Sequence, residues 1–419
     1  MVNPLTVTYF YSACVGIRTP DTSILCDPWF TDGAYDGSWY QYPKLQDPLG
    51  KIPAHDYVYI SHIHPDHYDP IFLKAYLELH PSTKVIIADF KSNFLLARMR
   101  GEGVPHDIVE KLVIGDSSIG IFPNELQSYD IDSALAVYWK DQSVINMNDN
   151  PYRESHVQRI LDFIPNRPTI ALLGYTGAGP YPQTYHTDEK TLLSKAEDKK
   201  QAFFKRYKEM ADSIDAKVNI PFAGKYILGG KLSHLNRFRG VADAVEVTQF
   251  DPKAVVLEDA GRGSIDCASL QPSAVRTRPY NTEEMESYAA SLSSLSMKYE
   301  TLFPGLQLED IPFRRLLPKA HQTAQRRSEC EEDCYMCLRV GKEWFVSNAR
   351  KGSDHGRFTN TVEDLVPRSE ITIDPRYLYG LITMIFHWNN AEVGSHYMVK
   401  RVPDMLSRPA QAFLNYFHV

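Results

Sequence analysis

The amino-acid sequence predicts a layered α/β protein, and three observations support this fold class. Short apolar segments typical of strands recur through roughly the first 265 residues and alternate with helical segments. Several of these strands run directly into tight loops of polar residues. Hydrophobic residues make up 43% and charged residues 23% of the 419 residues, which is typical of a soluble globular protein. These observations indicate one large α/β domain followed by a smaller unit.

The first third of the chain alternates strands with helices. The turn TPD separates the first two strands, and the first helix stops at a proline. The predicted strands are TVTYFYSACVGIRT (6–19), TSILCDPWF (22–30), HDYVYIS (55–61) and TKVIIADF (83–90), and the predicted helices are DPIFLKAYLELHP (69–81) and KSNFLLARMRGEG (91–103).

The same pattern continues to about residue 265, where we expect the large domain, residues 5–265, to end. A long charged segment, Glu189–Ile214, predicts a helix. The predicted strands of this part are DSSIGIFP (116–123), DSALAVYW (132–139), QSVINMND (142–149), PTIALLGYTG (168–177), AKVNIPFAGKY (216–226) and PKAVVLEDAG (252–261).

The remaining residues predict a second, smaller unit. Residues 266–330 are polar and helical or loop-like, so they form the expected linker. Within residues 331–419, CYMCLRVGKEWFVSNA (334–349) predicts a hairpin that turns at Gly341, and RYLYGLITMIFHW (376–388) predicts a helix. We therefore expect a small α+β unit at the C-terminal end.

Composition and charge exclude several classes of partner. The formal net charge of −7 argues against nucleic acid, because neutralising phosphates requires a basic surface. No run is long and apolar enough to span a bilayer, and the N-terminal segment lacks the features of a signal peptide. We therefore expect a cytoplasmic protein that acts on a small molecule. The sequence predicts no oligomeric state.

The segment YISHIHPDHYD (59–69) is the strongest functional signal. It holds three histidines and two aspartates at the end of an apolar strand, in a loop that contains prolines. Such a loop can arrange side chains around one point, and imidazole with carboxylate suits zinc, iron or manganese. Two metal ions would need further ligands from distant strand ends.

Within this segment, SHIHPDH (61–67) matches the His-x-His-x-Asp-His signature of the metallo-β-lactamase superfamily. The segments ILCDPWF (24–30), IPFAGKY (220–226) and HWNNAEVGSH (387–396) resemble one branch of it. That branch contains ascorbate-phosphate lactonases and the hydrolase-like half of CMP-N-acetylneuraminate hydroxylases. The resemblance implies an αββα sandwich with a smaller α+β C-terminal extension.

The resemblance also implies a ligand set for one or two divalent ions. The four signature positions are His62, His64, Asp66 and His67. The first two would serve one metal site, and the Asp-His pair would serve the second. Asp149 is the expected bridging aspartate because it ends a strand at a suitable spacing. His234 is the best available final histidine.

One position departs from the superfamily pattern. The segment NELQSYDIDSALAV (124–137) contains no histidine where the superfamily usually has its middle one. Asp130 or Asp132 could replace it, and so could water. An oxygen ligand would favour iron or manganese over zinc. The departure is equally compatible with a single metal ion or with a decayed site.

Two loops are candidates for substrate binding. The loop WFTDGAYDGSWYQYPKLQ (29–46) is rich in aromatic residues, and we expect Trp39 to contact substrate. The glycine-rich loop GYTGAGPYP (174–182) carries Tyr175 and Tyr181 and could bring backbone amides close to a phosphate or carboxylate. Ordinary packing and a plain turn are the alternatives. Residues 387–390 follow an apolar helix and could also reach a ligand.

Three cysteines, Cys330, Cys334 and Cys337, have the C-x3-C-x2-C spacing of some iron–sulfur enzymes. The segment alternates like a strand, however, so Cys334 and Cys337 would point to opposite faces. We therefore interpret them as structural thiols.

Three functions remain open at this stage. The first is a metal-dependent hydrolase of an ester, lactone, amide or phosphoester, in which Asp66 orients or deprotonates the nucleophile. The second is a non-haem iron oxygenase, which would need electrons from elsewhere because the sequence has no paired Cys-His boxes. The third is a binding protein with a vestigial metal site.

Overall fold

Two large β-sheets form the centre of the fold, and a third sheet lies in the C-terminal part. The structure is a computed structural model and describes residues 4–126, 130–353 and 356–419. In chain order its strands are β1 Thr6–Tyr11, β2 Cys14–Arg18, β3 Ser23–Cys26, β4 Trp39–Tyr40, β5 Tyr57–Ile60, β6 Lys84–Ile87, β7 Asp107–Ile108, β8 Lys111–Ile114, β9 Ser117–Pro123, β10 Ser133–Trp139, β11 Gln142–Asn146, β12 Ile170–Gly174, β13 Val218–Phe222, β14 Ile227–Leu228, β15 Gly263–Asp266, β16 Tyr335–Val340, β17 Glu343–Asn348, β18 Arg357–Thr359, β19 Arg368–Ile373 and β20 Tyr397–Val402.

The helices lie mostly outside the sheets. Their bounds are Pro48–Lys51, Pro70–Leu79, Phe94–Glu102, Glu154–Phe163, Glu189–Ile214, Ala244–Val247, Thr282–Ser291, Lys298–Leu302, Phe313–Gln325, Pro375–Ile382, Trp388–Val393 and Arg408–Leu414, with a 3-10 helix at Gly230–Phe238 and a short one at Leu308–Asp310. No helix in the described ranges is both long and apolar enough to cross a bilayer.

The two large sheets are mixed. The first has the strand order β15-β1-β2-β3-β5-β6-β7, and the second has the order β13-β12-β11-β10-β9-β8. Strands β3, β5 and β6 are parallel to one another, and so are β11, β12 and β13. The loops that follow the strands of a parallel set meet at one edge of the sheet. That end of the strands carries the histidine loop and the loops 29–46 and 174–182.

The sheets pack face to face, and helices cover both outer faces. Buried side chains of β1–β3 and β5–β6 share one core cluster with those of β9–β13. The outer face of the second sheet packs against the helices at 154–163 and 189–214. The outer face of the first sheet packs against the helices at 70–79 and 94–102. The predicted αββα sandwich is therefore confirmed, together with the smaller C-terminal α+β extension.

The C-terminal part forms a five-stranded sheet with the order β18-β17-β16-β19-β20. Its core is continuous with the outer layer of the first large sheet, since Tyr377 and Trp29 belong to one buried cluster. The segment 266–330, predicted as a linker, contributes to the same cluster. Its residues Met297 and Tyr299 are both fully buried, so part of this segment packs against that core.

One predicted strand is not formed as a strand. Of the segment 252–261, only Ala254 pairs with β13, through a single bridge to Asn219. Asn219 donates its N–H to Lys253 O at 2.9 Å and accepts from Val255 N–H at 2.8 Å. The next β13 residue facing this edge is Pro221, which has no N–H to donate. The pairing stops there for that reason.

The three cysteines of the C-x3-C-x2-C motif are buried and free. Cys337 packs in a small cluster with Val346 and Val362, whereas Cys330 and Cys334 belong to the main core. This separation agrees with the interpretation of structural thiols.

Candidate metal centre

The histidine loop is fixed by its neighbouring strand. Strand β3 pairs with β5 with Cys26 opposite Tyr59, which brings Asp27 beside the start of the loop. Asp27 donates its backbone N–H to Tyr59 O at 2.9 Å. Its carboxylate accepts from the N–H and the hydroxyl of Ser61, both at 2.7 Å. Asp27 therefore anchors the loop from outside.

His62 is fully buried and uses one nitrogen for this anchor. Its Nδ1 lies 2.9 Å from Ser61 Oγ. Because the hydroxyl proton of Ser61 points to Asp27, the Ser61 oxygen accepts a proton from Nδ1 of His62. The lone pair of His62 is therefore on Nε2, which faces His64.

His64 is oriented by the C-terminal unit. Its Nε2 lies 2.9 Å from Oδ1 of Asn389, in the helix Trp388–Val393. An amide oxygen only accepts, so Nε2 carries the proton and Nδ1 carries the lone pair. That Nδ1 lies 2.9 Å from Nε2 of His62.

His67 completes the group of imidazoles. Its Nδ1 donates to Asp27 Oδ2 at 3.0 Å. Its Nε2 lies 3.3 Å from Asp149 Oδ2 and 3.6 Å from Asp66 Oδ2. The carboxylate of Asp149 stands at the mouth of the site, with its side chain 37% exposed.

The three imidazoles thus follow one rule. Each ring gives a proton to an outer partner and turns its other nitrogen inward, which is the usual arrangement of metal-binding histidines. One ligand atom from each of His62, His67 and Asp149 lies within 4.8 Å of the other two. Two unprotonated nitrogens 2.9 Å apart repel each other unless a cation lies beside them. The donor set therefore fits a divalent metal ion.

The protonation states of His62 and His64 agree with this fit. Burial lowers the pKa of His62 and of His64, which keeps both rings neutral as metal ligands must be. Burial also opposes charge on His67, but Asp149 and Asp66 together raise its pKa well above the usual value. Burial raises the pKa of Asp66. A cation at the centre would offset the charge of these two carboxylates.

Asp66 is held by a tyrosine on an unusual turn. Tyr35 donates its hydroxyl to Asp66 Oδ1 at 2.6 Å. Tyr35 and Asp36 have φ values of 51° and 60°, a backbone region that non-glycine residues rarely occupy. The C-terminal unit holds both residues, since His396 Nε2 lies 2.7 Å from Tyr35 O and Tyr377 donates to Asp36 at 2.7 Å. The turn 33–37 therefore depends on contacts with that unit.

The two aspartates predicted to replace the missing histidine lie in different surroundings. Asp132 Oδ1 is 3.7 Å from Nδ1 of His62. Burial and the charge of Asp149 raise the pKa of Asp132 to about 8. Asp130 instead pairs with Arg153, with Oδ2 3.0 Å from Nη2. Of the two, only Asp132 lies beside the histidines.

The structure does not bring His234 into this group. His234 lies in the 3-10 helix 230–238, is exposed, and places its Nδ1 2.9 Å from Lys231 O. It lines a separate cavity together with Lys225 and Arg239. The five other predicted ligands, His62, His64, Asp66, His67 and Asp149, are brought together.

The three residues predicted to bind substrate are largely packed. Trp39 is 2% exposed and stacks on Tyr226, with ring centroids 3.4 Å apart. Tyr175 is 3% exposed. Tyr181 is partly buried against Tyr185, at a centroid distance of 5.7 Å. Substrate contact by these residues stays a prediction.

Several residues of the site were not singled out from the sequence. Asp27 and Ser61 carry the outer hydrogen bonds, and Tyr35 holds Asp66. Asp27 belongs to the segment ILCDPWF (24–30) and Ser61 to the signature segment. Only the parallel pairing of β3 with β5 shows that these two residues are neighbours. Asn389 lies in the segment that was expected to reach a ligand, and it contacts His64.

The comparison with known families agrees with this geometry. Residues 6–121 match a family model described as "Beta-lactamase superfamily domain". This match covers both β3 and the whole histidine loop. The chain therefore carries a metallo-β-lactamase superfamily domain.

Curated relatives match about half of the chain. A Mycobacterium tuberculosis protein named as a Rieske 2Fe-2S iron-sulfur protein is 27% identical over 247 residues, which are 52% of this chain and 44% of that protein. Cytidine monophosphate-N-acetylneuraminic acid hydroxylase of Danio rerio is 24% identical over 240 residues, 53% of this chain and 38% of the hydroxylase. The chain thus matches less than half the length of these relatives.

Solved structures with a similar fold include Igni18, described as a metallo hydrolase of Ignicoccus hospitalis. It is 17% identical, the match covers 61% of this chain and 96% of Igni18, and the TM-score is 0.42. CmlA of Streptomyces venezuelae, described as a diiron β-hydroxylase, is 16% identical, covers 64% of this chain with 55% of its own, and has a TM-score of 0.40.

Proposed function

We propose that this metallo-β-lactamase superfamily protein is a metal-dependent hydrolase of a small molecule whose scissile bond is an ester, lactone, amide or phosphoester. One observation carries the proposal: the inward-facing nitrogens of three histidines and the carboxylates of Asp66 and Asp149 face one point. Hydrolysis needs no reactant beyond water and the substrate, so a metal ion held by these groups would need no electron donor.

The residues would hold one or two divalent ions at that point. A bound divalent ion lowers the pKa of its water towards neutrality and so supplies a nucleophile. The outer partners Ser61, Asn389 and Asp27 keep the lone pairs of His62, His64 and His67 directed inward.

Asp66 is the group proposed to act on the nucleophile. Its Oδ1 is occupied by the hydroxyl of Tyr35, so its Oδ2 is left to face the centre. A carboxylate held by one oxygen can orient water with the other and accept its proton.

A second candidate is a non-haem iron oxygenase, and two observations favour it. Asp132 stands beside His62 where the superfamily usually has a histidine, and an oxygen ligand suits iron better than zinc. Curated relatives include a hydroxylase and a Rieske iron–sulfur protein. Such a reaction would draw its electrons from a separate donor.

The first experiment is elemental analysis of the full chain purified without chelators. The test variant replaces both His62 and His64 by alanine, and the matched control is His106→Ala, whose Nδ1 lies 2.8 Å from Val104 O and not in the histidine loop. Zinc or manganese that is lost in the test variant and kept in the control supports the hydrolase and justifies screening esters, lactones and phosphodiesters.

Other outcomes of the same analysis separate the remaining functions. Iron that is lost in the double variant favours the oxygenase, and dioxygen uptake with an added reductant is then the next assay. Absence of metal from the parent protein would contradict both enzymatic functions and favour a binding protein with a vestigial site.

A further inference from the structure

A second polar site lies beside Tyr226, the tyrosine on which Trp39 stacks. A cavity of ≈ 580 Å³ opens between the 3-10 helix 230–238 and the helix Thr282–Ser291. Its lining includes Lys225 and Arg239 at one side and the apolar side chains of Ile227 and Met285. Lys225 and Arg239 line this cavity, and Lys199 lies near Arg239 outside that lining. We name these three cations the cationic cluster.

Arg239 is the centre of the cationic cluster. It is only 4% exposed. Its Nη2 donates to Tyr226 O at 2.7 Å, and its guanidinium lies 4.1 Å from the centroid of the Tyr226 ring. Its Nε and Nη1 are buried and have no hydrogen-bond partner within the described ranges. A buried guanidinium with two free donors is costly unless an acceptor joins it.

Lys199 approaches Arg239 from the long helix 189–214. The close packing of that helix at Gly240 brings it there, since a Cβ on Gly240 would meet Ala196 O at 2.3 Å. The Lys199 ammonium is buried and has no hydrogen-bond partner among the described residues. Burial and the charge of Arg239 lower its pKa to about 7. Arg239 and Lys199 thus lie close enough to repel each other, and three of their buried donor atoms have no acceptor among the described residues.

Lys225 adds a third cation that is only partly compensated. Its Nζ lies 3.8 Å from Asp243 Oδ2. Asp243 is already paired with Arg276, at 2.7 Å, and also caps the short helix that begins at Ala244. Burial lowers the pKa of Lys225 to about 8. Asp243 therefore compensates Lys225 only in part, and Glu246 and Glu286 are the other carboxylates near this cavity.

We propose that the cationic cluster is a binding site for the oxyanion group, phosphate or carboxylate, of a small molecule. The free donors of Arg239 and Lys199 would become hydrogen-bonded by its oxygens. The apolar lining of the cavity would accommodate the organic part of the ligand. This site goes beyond the proposed hydrolysis and uses none of the metal-binding residues.

The cationic cluster is linked to the metal centre by aromatic rings. Tyr226 lies against Arg239 and stacks on Trp39, and Trp39 contacts Tyr35 at a centroid distance of 4.4 Å. Tyr35 in turn holds Asp66. An anionic ligand at Arg239 would therefore lie beside Tyr226, the first ring of the series Tyr226, Trp39 and Tyr35. The last of these rings holds Asp66.

The test is calorimetric titration of the full chain with inorganic phosphate, and in parallel with acetate, at an ionic strength balanced by sodium chloride. The test variant is Lys199→Met, and the matched control is Lys205→Met on the same helix. The Lys205 side chain is 78% exposed and pairs with Glu209. Both variants replace one lysine by the same uncharged side chain. The His62→Ala/His64→Ala variant is titrated as well, because a metal centre can also bind phosphate.

We expect saturable binding that Lys199→Met weakens by about tenfold or more and that Lys205→Met leaves unchanged. Binding should persist in the double histidine variant. Without an added anion, Lys199→Met should melt at a higher temperature than the parent, because it removes an uncompensated buried charge. If Lys199 instead served only to stabilise the fold, Lys199→Met would melt at a lower temperature than the parent.

Three results would overturn the inference. The first is that neither anion binds saturably to the parent. The second is that the parent and Lys199→Met bind equally well. The third is that the double histidine variant loses binding while Lys199→Met keeps it. The last result would place the anion at the metal centre and leave the proposed function standing. Tighter binding of phosphate or of acetate would identify which oxyanion the site takes.

Discussion

The side-chain oxygen of Asn389 lies 2.9 Å from Nε2 of His64, although the two residues are 325 positions apart in the chain. The contact fixes the proton of His64 on Nε2 and so leaves Nδ1 for the centre. The C-terminal unit therefore forms part of the candidate metal centre. Its further contacts with the turn at Tyr35 and Asp36 point to the same conclusion.

Replacing Asn389 by alanine should weaken metal binding by about 10- to 100-fold, because outer partners of ligating histidines have effects of this size. Asn389→Asp keeps an acceptor for the His64 proton and should retain most of the affinity. Asn390→Ala is the control. Competition with a chromophoric chelator measures the affinities. Equal affinities for all four proteins would show that the contact does not orient His64.

Replacing Asp132 by histidine should shift metal preference towards zinc, since it exchanges an oxygen donor for an imidazole. The measurement is the metal content after incubation with equal concentrations of zinc, iron(II) and manganese. Asp130→Ala removes the partner of Arg153 and should leave that preference unchanged. An unaltered preference in Asp132→His would mean that this position is not a ligand.

The Tyr377→Phe variant should lower the free energy of unfolding by about 1–3 kcal/mol, because it leaves the buried carboxylate of Asp36 without its donor. The comparison is Tyr379→Phe, whose ring packs on Phe303. Urea unfolding followed by circular dichroism gives both values. A loss of equal size in the two variants would assign the effect to ring packing and not to the hydrogen bond.

The His234→Ala variant should keep the full metal content, since His234 is exposed and lies outside the group of inward-facing donors. His67→Ala should lose metal under the same conditions, because its Nε2 faces both Asp149 and Asp66. Elemental analysis of the two variants side by side decides the point. Loss of one equivalent in His234→Ala would restore this histidine as the final ligand.

The ionisation of Glu392 should make the free energy of unfolding depend on pH. Burial raises its pKa to about 7 in the folded chain, against about 4.3 when unfolded. Below the unfolded pKa both states are protonated, so there is no effect. Between these values only the unfolded state releases its proton, so stability falls as pH rises and the loss is complete above pH 7.

Glu392→Gln stays neutral and should abolish this loss. The variant should equal the parent near pH 3 and exceed it at pH 8, by at most about 4 kcal/mol. Thermal unfolding at the two pH values is the measurement. A difference that is the same at both would show that the effect does not come from ionisation of Glu392.

The sequence predicted the fold and the core of the site because both depend on local patterns. Strand alternation and the spacing of His62, His64 and His67 are properties of short segments, and the helix Glu189–Ile214 has the predicted bounds. The contact of Asn389 with His64, and that of Asp27 with His67, depend on which strands become neighbours. Periodicity carries no information on such pairings.

His234 illustrates a different limit. It was selected because the superfamily pattern needs a final histidine and few others were available, and not because its surroundings suggested a ligand. The 3-10 helix turns it towards Lys231 O instead. Arg239 was missed for the opposite reason, since one arginine in a sequence shows neither its burial nor its free donors.

Pro221 has a consequence for how copies of the chain can meet. β13 is an outermost strand of its sheet, and an outermost strand with free N–H groups is a template for intermolecular strand addition and amyloid growth. Pro221 removes one donor from this border, and Lys253 and Val255 occupy both backbone groups of Asn219. The β13 border is therefore closed to a second chain at Asn219 and Pro221, which disfavours aggregation through this strand.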